Sequence, residues 1–171
     1  MIIGIIPARY DSNRFPGKPL VDIHGKTMLQ RVYEQCEKSK LDRLIVATDD
    51  ERIVAHVNTF GAEVILTSNS HKSGTDRIAE ATDKLNLIDD SIVLNIQGDE
   101  PFIQPEDIDL LADCFKNDST QIATLVKKIN TIDSIDNPNN PKVVLNSKKE
   151  ALYFSRSPIP HIKEVKKEDW L

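Results

Sequence analysis

The sequence predicts an α/β fold in which a mainly parallel, Rossmann-like sheet is flanked by helices. Short apolar runs alternate along the chain with segments whose apolar side chains recur at helical spacing. The first run, residues 2–6, is continuously apolar, which is typical of a strand buried on both faces. A chain of 171 residues can bury roughly two thirds of its unfolded surface, enough for one core. We therefore expect a single domain over residues 1–171.

The first half of the pattern is strand, helix, strand, helix, strand. Strands are predicted at residues 2–6, 44–47 and 62–66. Apolar residues at helical spacing indicate the two intervening helices, at Met28, Leu29, Val32 and Cys36 and at Ile53, Val54 and Val57. An aspartate of the pair Asp49-Asp50 can cap the second helix.

The alternation continues through a further helix, strand and helix. The strand is predicted at residues 91–96, and Pro105 opens the helix that follows it. Apolar spacing indicates these helices, at Ile78, Ala79, Thr82 and Leu85 and at Ile108, Leu111, Ala112 and Phe115. Strands joined by helices in this way are predicted to lie parallel in one sheet.

From about Gln121 onward the pattern changes. Residues 122–126 are predicted to form a strand, and residues 136–141 a loop rich in turn formers. Residues 143–145 and 151–154 are predicted to pair as a hairpin. We expect an antiparallel C-terminal extension, followed by a polar end segment over residues 157–171.

Composition excludes several classes of protein. The net charge of −5 disfavours non-specific electrostatic binding to the backbone of a nucleic acid. The apolar runs are far shorter than the ~20 residues of a membrane span, so we expect no membrane segment and a cytoplasmic protein. Cys36 and Cys114 form no C-x-x-C pair and fall in predicted helices, and we expect both to be buried, reduced thiols.

A candidate polyanion site follows the first strand. Ligands of an open parallel sheet bind beyond the carboxyl ends of its strands, and here the chain carries Arg9, Arg14 and Lys18 around Gly17. Guanidinium and ammonium groups suit phosphate oxygens. The alternative is an ordinary solvated basic loop. The glycine-rich fingerprints of dehydrogenases and P-loop ATPases are missing from the sequence.

Acidic and amide side chains follow the strand at residues 91–96. Gln97 and Asp99 stand there, where the same crevice is expected. A carboxylate beside a triphosphate is a natural ligand for Mg²⁺, which uses one or two carboxylates together with substrate phosphates. The alternative for Asp99 is a turn or helix-capping aspartate.

A third polar segment, Ser73-Gly74-Thr75-Asp76-Arg77, leads into a predicted helix. Ser73 and Thr75 could hydrogen-bond a base or sugar, and Arg77 could meet an anion. The same residues also suit a plain helix N-cap that needs no ligand. The four histidines have no zinc-binding spacing, and no G-x-S-x-G nucleophile motif occurs.

Several motifs together carry a resemblance to a known family. They are Ile6-Pro7-Ala8-Arg9-Tyr10, Pro16-Gly17-Lys18-Pro19-Leu20, Val46-Ala47-Thr48-Asp49, Ser73-Gly74-Thr75-Asp76-Arg77, Asn95-Ile96-Gln97-Gly98-Asp99-Glu100-Pro101 and Ala151-Leu152-Tyr153-Phe154-Ser155-Arg156. In this order they closely resemble the 3-deoxy-manno-octulosonate cytidylyltransferases. The resemblance covers essentially the whole chain. It implies a fold of the nucleotide-diphospho-sugar transferase type.

The resemblance also implies an activity. Family members transfer CMP from CTP to the anomeric hydroxyl of 3-deoxy-D-manno-octulosonate (Kdo) for lipopolysaccharide synthesis, release pyrophosphate, and are cytoplasmic, Mg²⁺-dependent and dimeric. It assigns Arg9, Arg14 and Lys18 to the CTP phosphates and Asp99 to the metal. It assigns substrate contacts to Arg77 and Gln97, with the loop carrying Ser73 and Thr75 nearby.

Members of this family continue beyond the position of Leu171, so we expect this chain to be truncated relative to them. In the family, the further segment carries a second aspartate metal ligand, contacts to Kdo and much of the dimer interface. Two alternatives stay open. One is a CTP-binding protein without catalysis, and the other is a cytidylyltransferase for a related acid, such as 8-amino-Kdo or a sialic acid.

Overall fold

The computed structural model describes residues 1–11, 15–161, 163–166 and 169–170. Contacts group the chain into two compact units, Met1–Leu125 and Val126–Leu171. The expectation of one domain over residues 1–171 stays a prediction. The described elements, in chain order, are β1 (Ile2–Ala8), β2 (Asp22–Ile23), β3 (Lys26–Thr27), α1 (Met28–Cys36), β4 (Arg43–Thr48), α2 (Glu51–Thr59), β5 (Glu63–Leu66), α3 (Gly74–Lys84), β6 (Ile92–Asn95), α4 (Pro105–Asp113), α5 (Ile132–Asp136), β7 (Lys142–Leu145) and β8 (Ala151–Ser155).

The first unit contains the predicted parallel sheet. Its strand order is β5-β4-β1-β6, and each neighbouring pair is parallel. The first strand is therefore central, with β4 on one side and β6 on the other. Helical crossovers connect such strands because parallel neighbours cannot be joined by a tight turn. The predicted sheet flanked by helices is confirmed.

Apolar side chains of β1 serve both faces of the sheet, since successive residues of a strand point to opposite sides. Ile6 packs in a core with α1, α2 and α4, whereas Ile3 and Ile5 pack with α3 on the other face. All three isoleucines are fully buried. This two-sided burial explains why the run is apolar without alternation.

Hydroxyl and carboxylate side chains begin the main helices. Thr27 caps α1, Asp50 caps α2 and Ser73 caps α3, and each accepts a backbone N–H of the first turn. The predicted aspartate cap is therefore confirmed at Asp50. The fourth helix begins at Pro105, as predicted.

A short hairpin, β2–β3, lies between β1 and α1 and was not predicted. Its turn holds His24 and Gly25 at φ of 52° and 81°. Arg31 donates to the carbonyl oxygens of Ile23 and His24. Two-residue strands carry no periodic signal, so the sequence pattern could not indicate them.

The second unit contains the predicted antiparallel hairpin, which is confirmed as β7 and β8. Lys142 opens β7 and is buried, with only 4% of its surface exposed. Its ammonium group donates to the carbonyl oxygens of Asn137, Asn140 and Arg156, each at 2.8–2.9 Å. One charged side chain thus ties the loop before the hairpin to the residue that follows it.

Two predictions about the chain after α4 are wrong. Residues 122–126 form no strand, and Ile122 is 92% exposed, because an apolar run becomes a strand only where a neighbouring edge pairs with it. Cys114 is exposed instead of buried. The thiol of Cys114 donates to the carbonyl oxygen of Leu110, a residue that is 58% exposed, so Cys114 lies on the outer side of the helix end.

Cys36, by contrast, is buried as predicted. Burial raises the pKa of its thiol to about 12, so the group stays protonated at neutral pH. Among the described helices, none combines the length and the apolar character that crossing a bilayer would require.

Candidate active site

A pocket of about 490 Å³ lies in the first unit, beyond the carboxyl ends of β1 and β6. This is where an open parallel sheet is expected to bind a ligand. The pocket is lined by residues 7–9, 18–19, 73–74 and 97–99 together with Phe15 and Arg77. Three of the polar segments singled out in the sequence therefore meet at one place.

Lys18 and Asp99 face each other in this pocket. The Lys18 ammonium donates to Asp99 Oδ2 at 2.5 Å, although 81 residues separate the two in sequence. Their side chains are 37% and 50% exposed, and an ion pair this exposed stabilises a fold by less than about 1 kcal/mol. The pair therefore contributes opposite charges to the pocket more than it contributes stability.

Gly17 sets the path of the chain into Lys18. Its φ of 72° is left-handed, and its N–H donates to the Tyr10 carbonyl oxygen at 2.8 Å. A Cβ at this position would lie 3.1 Å from Cζ of Tyr10. Both the backbone conformation and the neighbouring ring therefore require glycine, and Lys18 then begins a 3₁₀ turn, Lys18–Leu20.

Gly98 brings the end of β6 against the end of β1. A Cβ there would lie 3.2 Å from Cγ2 of Ile6 and 3.3 Å from the Pro7 carbonyl oxygen. The close approach holds Gln97 and Asp99 on either side of this contact, at the pocket wall. The Gln97 amide is exposed to the pocket and donates to Asn95 Oδ1 at 3.1 Å.

Ser73 caps α3 where this helix reaches the pocket. Its hydroxyl accepts the Asp76 N–H at 3.1 Å and donates to Asp76 Oδ2 at 2.7 Å, so the capping interpretation of this residue is correct. Ser73 and Gly74 line the pocket, whereas Thr75 is exposed and does not belong to the lining formed by the described residues.

Arg77 lies at the pocket wall but is 2% exposed. Its guanidinium donates to Thr67 Oγ1 at 2.5 Å and to Asp49 Oδ2 at 2.7 Å. The charge is paired with Asp49, as a buried cation requires. Arg77 therefore joins α3 to the segments that follow β4 and β5.

Arg9 extends β1 and is exposed at the pocket, so its guanidinium is available to an anion. Arg14, the third predicted phosphate ligand, lies outside the described residues.

Glu80, on α3, is a polar centre that the sequence analysis missed. Its carboxylate accepts from Lys84, from the Ser68 N–H and from His71. These hydrogen bonds lower the pKa of Glu80 to about 2, with Lys84 the largest contributor. The i,i+4 spacing of Glu80 and Lys84 was a signal for that one pair. The contacts with the loop before α3 carry no sequence signal.

Metal binding would depend on Asp99. It is the one acidic residue among the described residues that line the pocket, and no group of three or more potential ligands occurs in the described part of the chain. One carboxylate does not make a resident metal site. It does fit Mg²⁺ that arrives with a nucleotide, because this ion keeps most of its ligands as phosphate oxygens and waters.

Comparisons with known proteins show the family to which the chain belongs. A family model described as "Cytidylyltransferase" matches residues 3–169. The 3-deoxy-manno-octulosonate cytidylyltransferase of Parabacteroides distasonis is 57% identical, over 99% of this chain and 68% of its own length. That of Bacteroides thetaiotaomicron is 55% identical over the same shares. This chain thus spans about two thirds of the length of these relatives.

A solved structure of CMP:2-keto-3-deoxy-manno-octonic acid synthetase complexed with CTP is similar to this chain. The TM-score is 0.87 at 42% sequence identity, and the match covers 95% of this chain and 67% of the other. A cytidylyltransferase from Leptospira borgpetersenii, at 25% identity, has a TM-score of 0.59. The resemblance inferred from the motifs is confirmed. The chain belongs to the cytidylyltransferase family and, within it, to the 3-deoxy-manno-octulosonate cytidylyltransferases.

Proposed function

We propose that this protein transfers CMP from CTP to the anomeric hydroxyl of Kdo and releases pyrophosphate. The observation that carries the proposal is the meeting of Lys18 and Asp99 at 2.5 Å in a pocket beyond the ends of β1 and β6. A cation and a carboxylate side by side suit a nucleoside triphosphate that carries a metal ion. The names of the relatives and of the CTP complex support the same substrates.

The basic groups would hold the triphosphate. Lys18 and Arg9 lie at the pocket, and we propose that they bind CTP phosphates together with Arg14. Positive charge beside the β- and γ-phosphates favours departure of pyrophosphate, because the leaving group gains negative charge in the transition state. Phosphoryl-type transfer depends mainly on such positioning and charge stabilisation.

The reaction requires no covalent nucleophile from the protein. The anomeric oxygen of Kdo forms a bond to the α-phosphorus, and the bond from that phosphorus to the bridging oxygen breaks. Pyrophosphate takes the electron pair, and the hydroxyl proton passes to solvent. We propose that Gln97, Ser73 and Thr75 orient the substrates. We also propose that Arg77 helps to bind them by holding the pocket wall in place.

We propose Mg²⁺ as the metal and Asp99 as its ligand from the protein. When bound, the ion offsets charge on the triphosphate and makes the attacking hydroxyl easier to deprotonate. The half-exposed Asp99 carboxylate can hold it while Lys18 remains within reach of the phosphates. We also propose that the protein is cytoplasmic.

A homodimer is the assembly that we propose for the full-length protein. The exposed apolar side chains of β8 support this, because Leu152 and Tyr153 are each 64% exposed and Phe154 is 53% exposed. Apolar side chains grouped on one strand are typical of a protein interface. Sedimentation equilibrium would test it, and a monomer at every concentration would contradict it.

The proposed reaction is tested by incubating the protein with CTP, Kdo and Mg²⁺ and measuring pyrophosphate and CMP-Kdo. We expect Asp99→Asn to lower the rate at least about a hundredfold, the loss typical of removing one group that stabilises transition-state charge. Lys18→Ala should weaken CTP binding by about tenfold or more. Asp113→Asn is the matched control, since Asp113 pairs with Lys116 on the surface.

An unchanged rate for Asp99→Asn would contradict the metal assignment. CTP binding without any pyrophosphate would favour the non-catalytic alternative. Faster release with 8-amino-Kdo or a sialic acid would reassign the sugar substrate.

A further inference from the structure

We infer that Arg52 and Tyr10, neither of which lines the pocket, are positioning residues that fix the base of the loop that leads into Lys18. We define the loop base as Tyr10 and Gly17, the two residues that close the loop through a backbone hydrogen bond. The inference rests on the proposed function, because it concerns the CTP-binding role of Lys18.

Arg52 lies over the ring of Tyr10. Its Cζ is 3.3 Å from the ring centroid, a distance at which a guanidinium is attracted by the face of an aromatic ring. Asp50 fixes the orientation of the guanidinium by accepting from its Nε at 2.9 Å and from an NH2 group at 2.5 Å. Because Asp50 also caps α2, the start of this helix holds the cation against the ring.

The same ring borders Gly17. A Cβ on Gly17 would lie 3.1–3.3 Å from Cζ, Oη and Cε2 of Tyr10, so the glycine backbone packs directly against the phenol. The Gly17 N–H donates to the Tyr10 carbonyl oxygen at 2.8 Å. The ring therefore links α2 to the one residue whose left-handed conformation sends the chain into Lys18.

Loss of the stack should loosen the loop base without removing any group from the pocket. Gly17 accepts the Leu20 N–H at 2.9 Å, which joins the loop base to the turn that carries Lys18. If the loop base were less rigid, the Lys18 ammonium would occupy a wider range of positions. Ordering this group when CTP binds would then make the binding free energy less favourable. We expect weaker CTP binding from Arg52→Ala although this residue never touches the nucleotide.

The test measures two quantities separately, the hydrogen exchange of the amide at the loop base and the Kd for CTP. With ¹⁵N-glycine, the six glycines give at most six amide signals, and hydrogen exchange of the Gly17 amide reports the bond to Tyr10 directly. Calorimetry gives the Kd for CTP. For Arg52→Ala we expect faster exchange at Gly17 and roughly two- to tenfold weaker CTP binding, the range of one cation–π contact.

Matched variants separate this effect from general destabilisation. Arg43→Ala also removes an arginine that pairs with a carboxylate, Glu63, but it contacts no ring in the described structure, and it should change neither readout. Tyr10→Phe keeps the ring and should match the unaltered protein. Tyr10→Leu should match Arg52→Ala, and the double variant should be no weaker than Tyr10→Leu.

Unchanged Gly17 exchange in Arg52→Ala would overturn the inference, as would faster exchange with a Kd for CTP equal to that of Arg43→Ala. Failure of the unaltered protein to bind CTP would instead overturn the proposed function. In that case Gly17 exchange still decides whether Arg52 holds the loop base.

Discussion

The charged residues of the pocket differ in what holds them. Lys18 and Asp99 are both well exposed and meet only through their side chains. Arg77 is almost fully buried, and Thr67 and Asp49 fix its guanidinium. An exposed pair can separate around a substrate at little cost, whereas a buried cation that loses its partner is costly. Removing Lys18 should therefore change binding, and removing Arg77 should change folding as well.

At Gly17, we predict that substitution by alanine destabilises the fold and weakens CTP binding. The left-handed conformation costs a non-glycine residue about 1–2 kcal/mol, and the contact with Tyr10 adds to it. Gly61→Ala is the control, because Gly61 has a φ of 73° with nothing within 4 Å of the added Cβ. Urea unfolding should give a larger loss for Gly17→Ala. Equal losses would show that the Tyr10 contact contributes nothing.

The elements show where sequence reasoning succeeds. Strands β1, β4 and β6 and helices α1 to α4 were predicted because each buries an apolar set with a clear period. Lys18 and Asp99 were found because each follows the carboxyl end of a strand, and β1 and β6 turned out to be neighbours. Arg52 was missed, since its contact with Tyr10 depends on how α2 lies beside the loop. The strand predicted over residues 122–126 failed because no edge pairs with it.

At Lys142 we predict that replacement by methionine destabilises the second unit. Three carbonyl oxygens would lose a charged donor, with an expected loss of about 2 kcal/mol or more. Hydrogen exchange of the β7 and β8 amides, together with urea unfolding, would measure it. Lys148→Met is the control at an exposed position. If both variants behaved alike, the three hydrogen bonds would have no net effect on stability.

Across the whole molecule, the groups whose pKa is lowered by folding act in the same direction with pH. Burial lowers the pKa of His56 below its ordinary 6.5, and its Nε2 lies 2.7 Å from Thr27 Oγ1. Hydrogen bonds from Lys84, Ser68 and His71 lower the pKa of Glu80 from 4.5 to about 2. In both cases the unfolded chain binds protons more readily than the folded protein, so acid favours unfolding.

We therefore predict two steps in the loss of stability on acidification. The first begins as the pH falls below 6.5, the ordinary pKa of histidine, and reflects His56. The second begins below 4.5 and continues toward 2 as Glu80 is protonated, together with the other carboxylates whose pKa hydrogen bonds lower. Melting temperatures of His56→Gln should lack much of the first step and keep the second. His161→Gln, at an exposed position, is the control, and parallel curves for His56→Gln and the unaltered protein would refute the assignment.

The Lys18–Asp99 pair joins residues that lie 81 positions apart, and this distance has a consequence during translation. Strands β1 and β4 leave the ribosome well before β6, so the emerging polypeptide carries the cations that we propose to bind phosphate before the matching carboxylate is made. On the proposed function, binding of CTP together with the metal requires synthesis past residue 99. A nascent chain that ends before Asp99 lacks the carboxylate that we propose as the metal ligand.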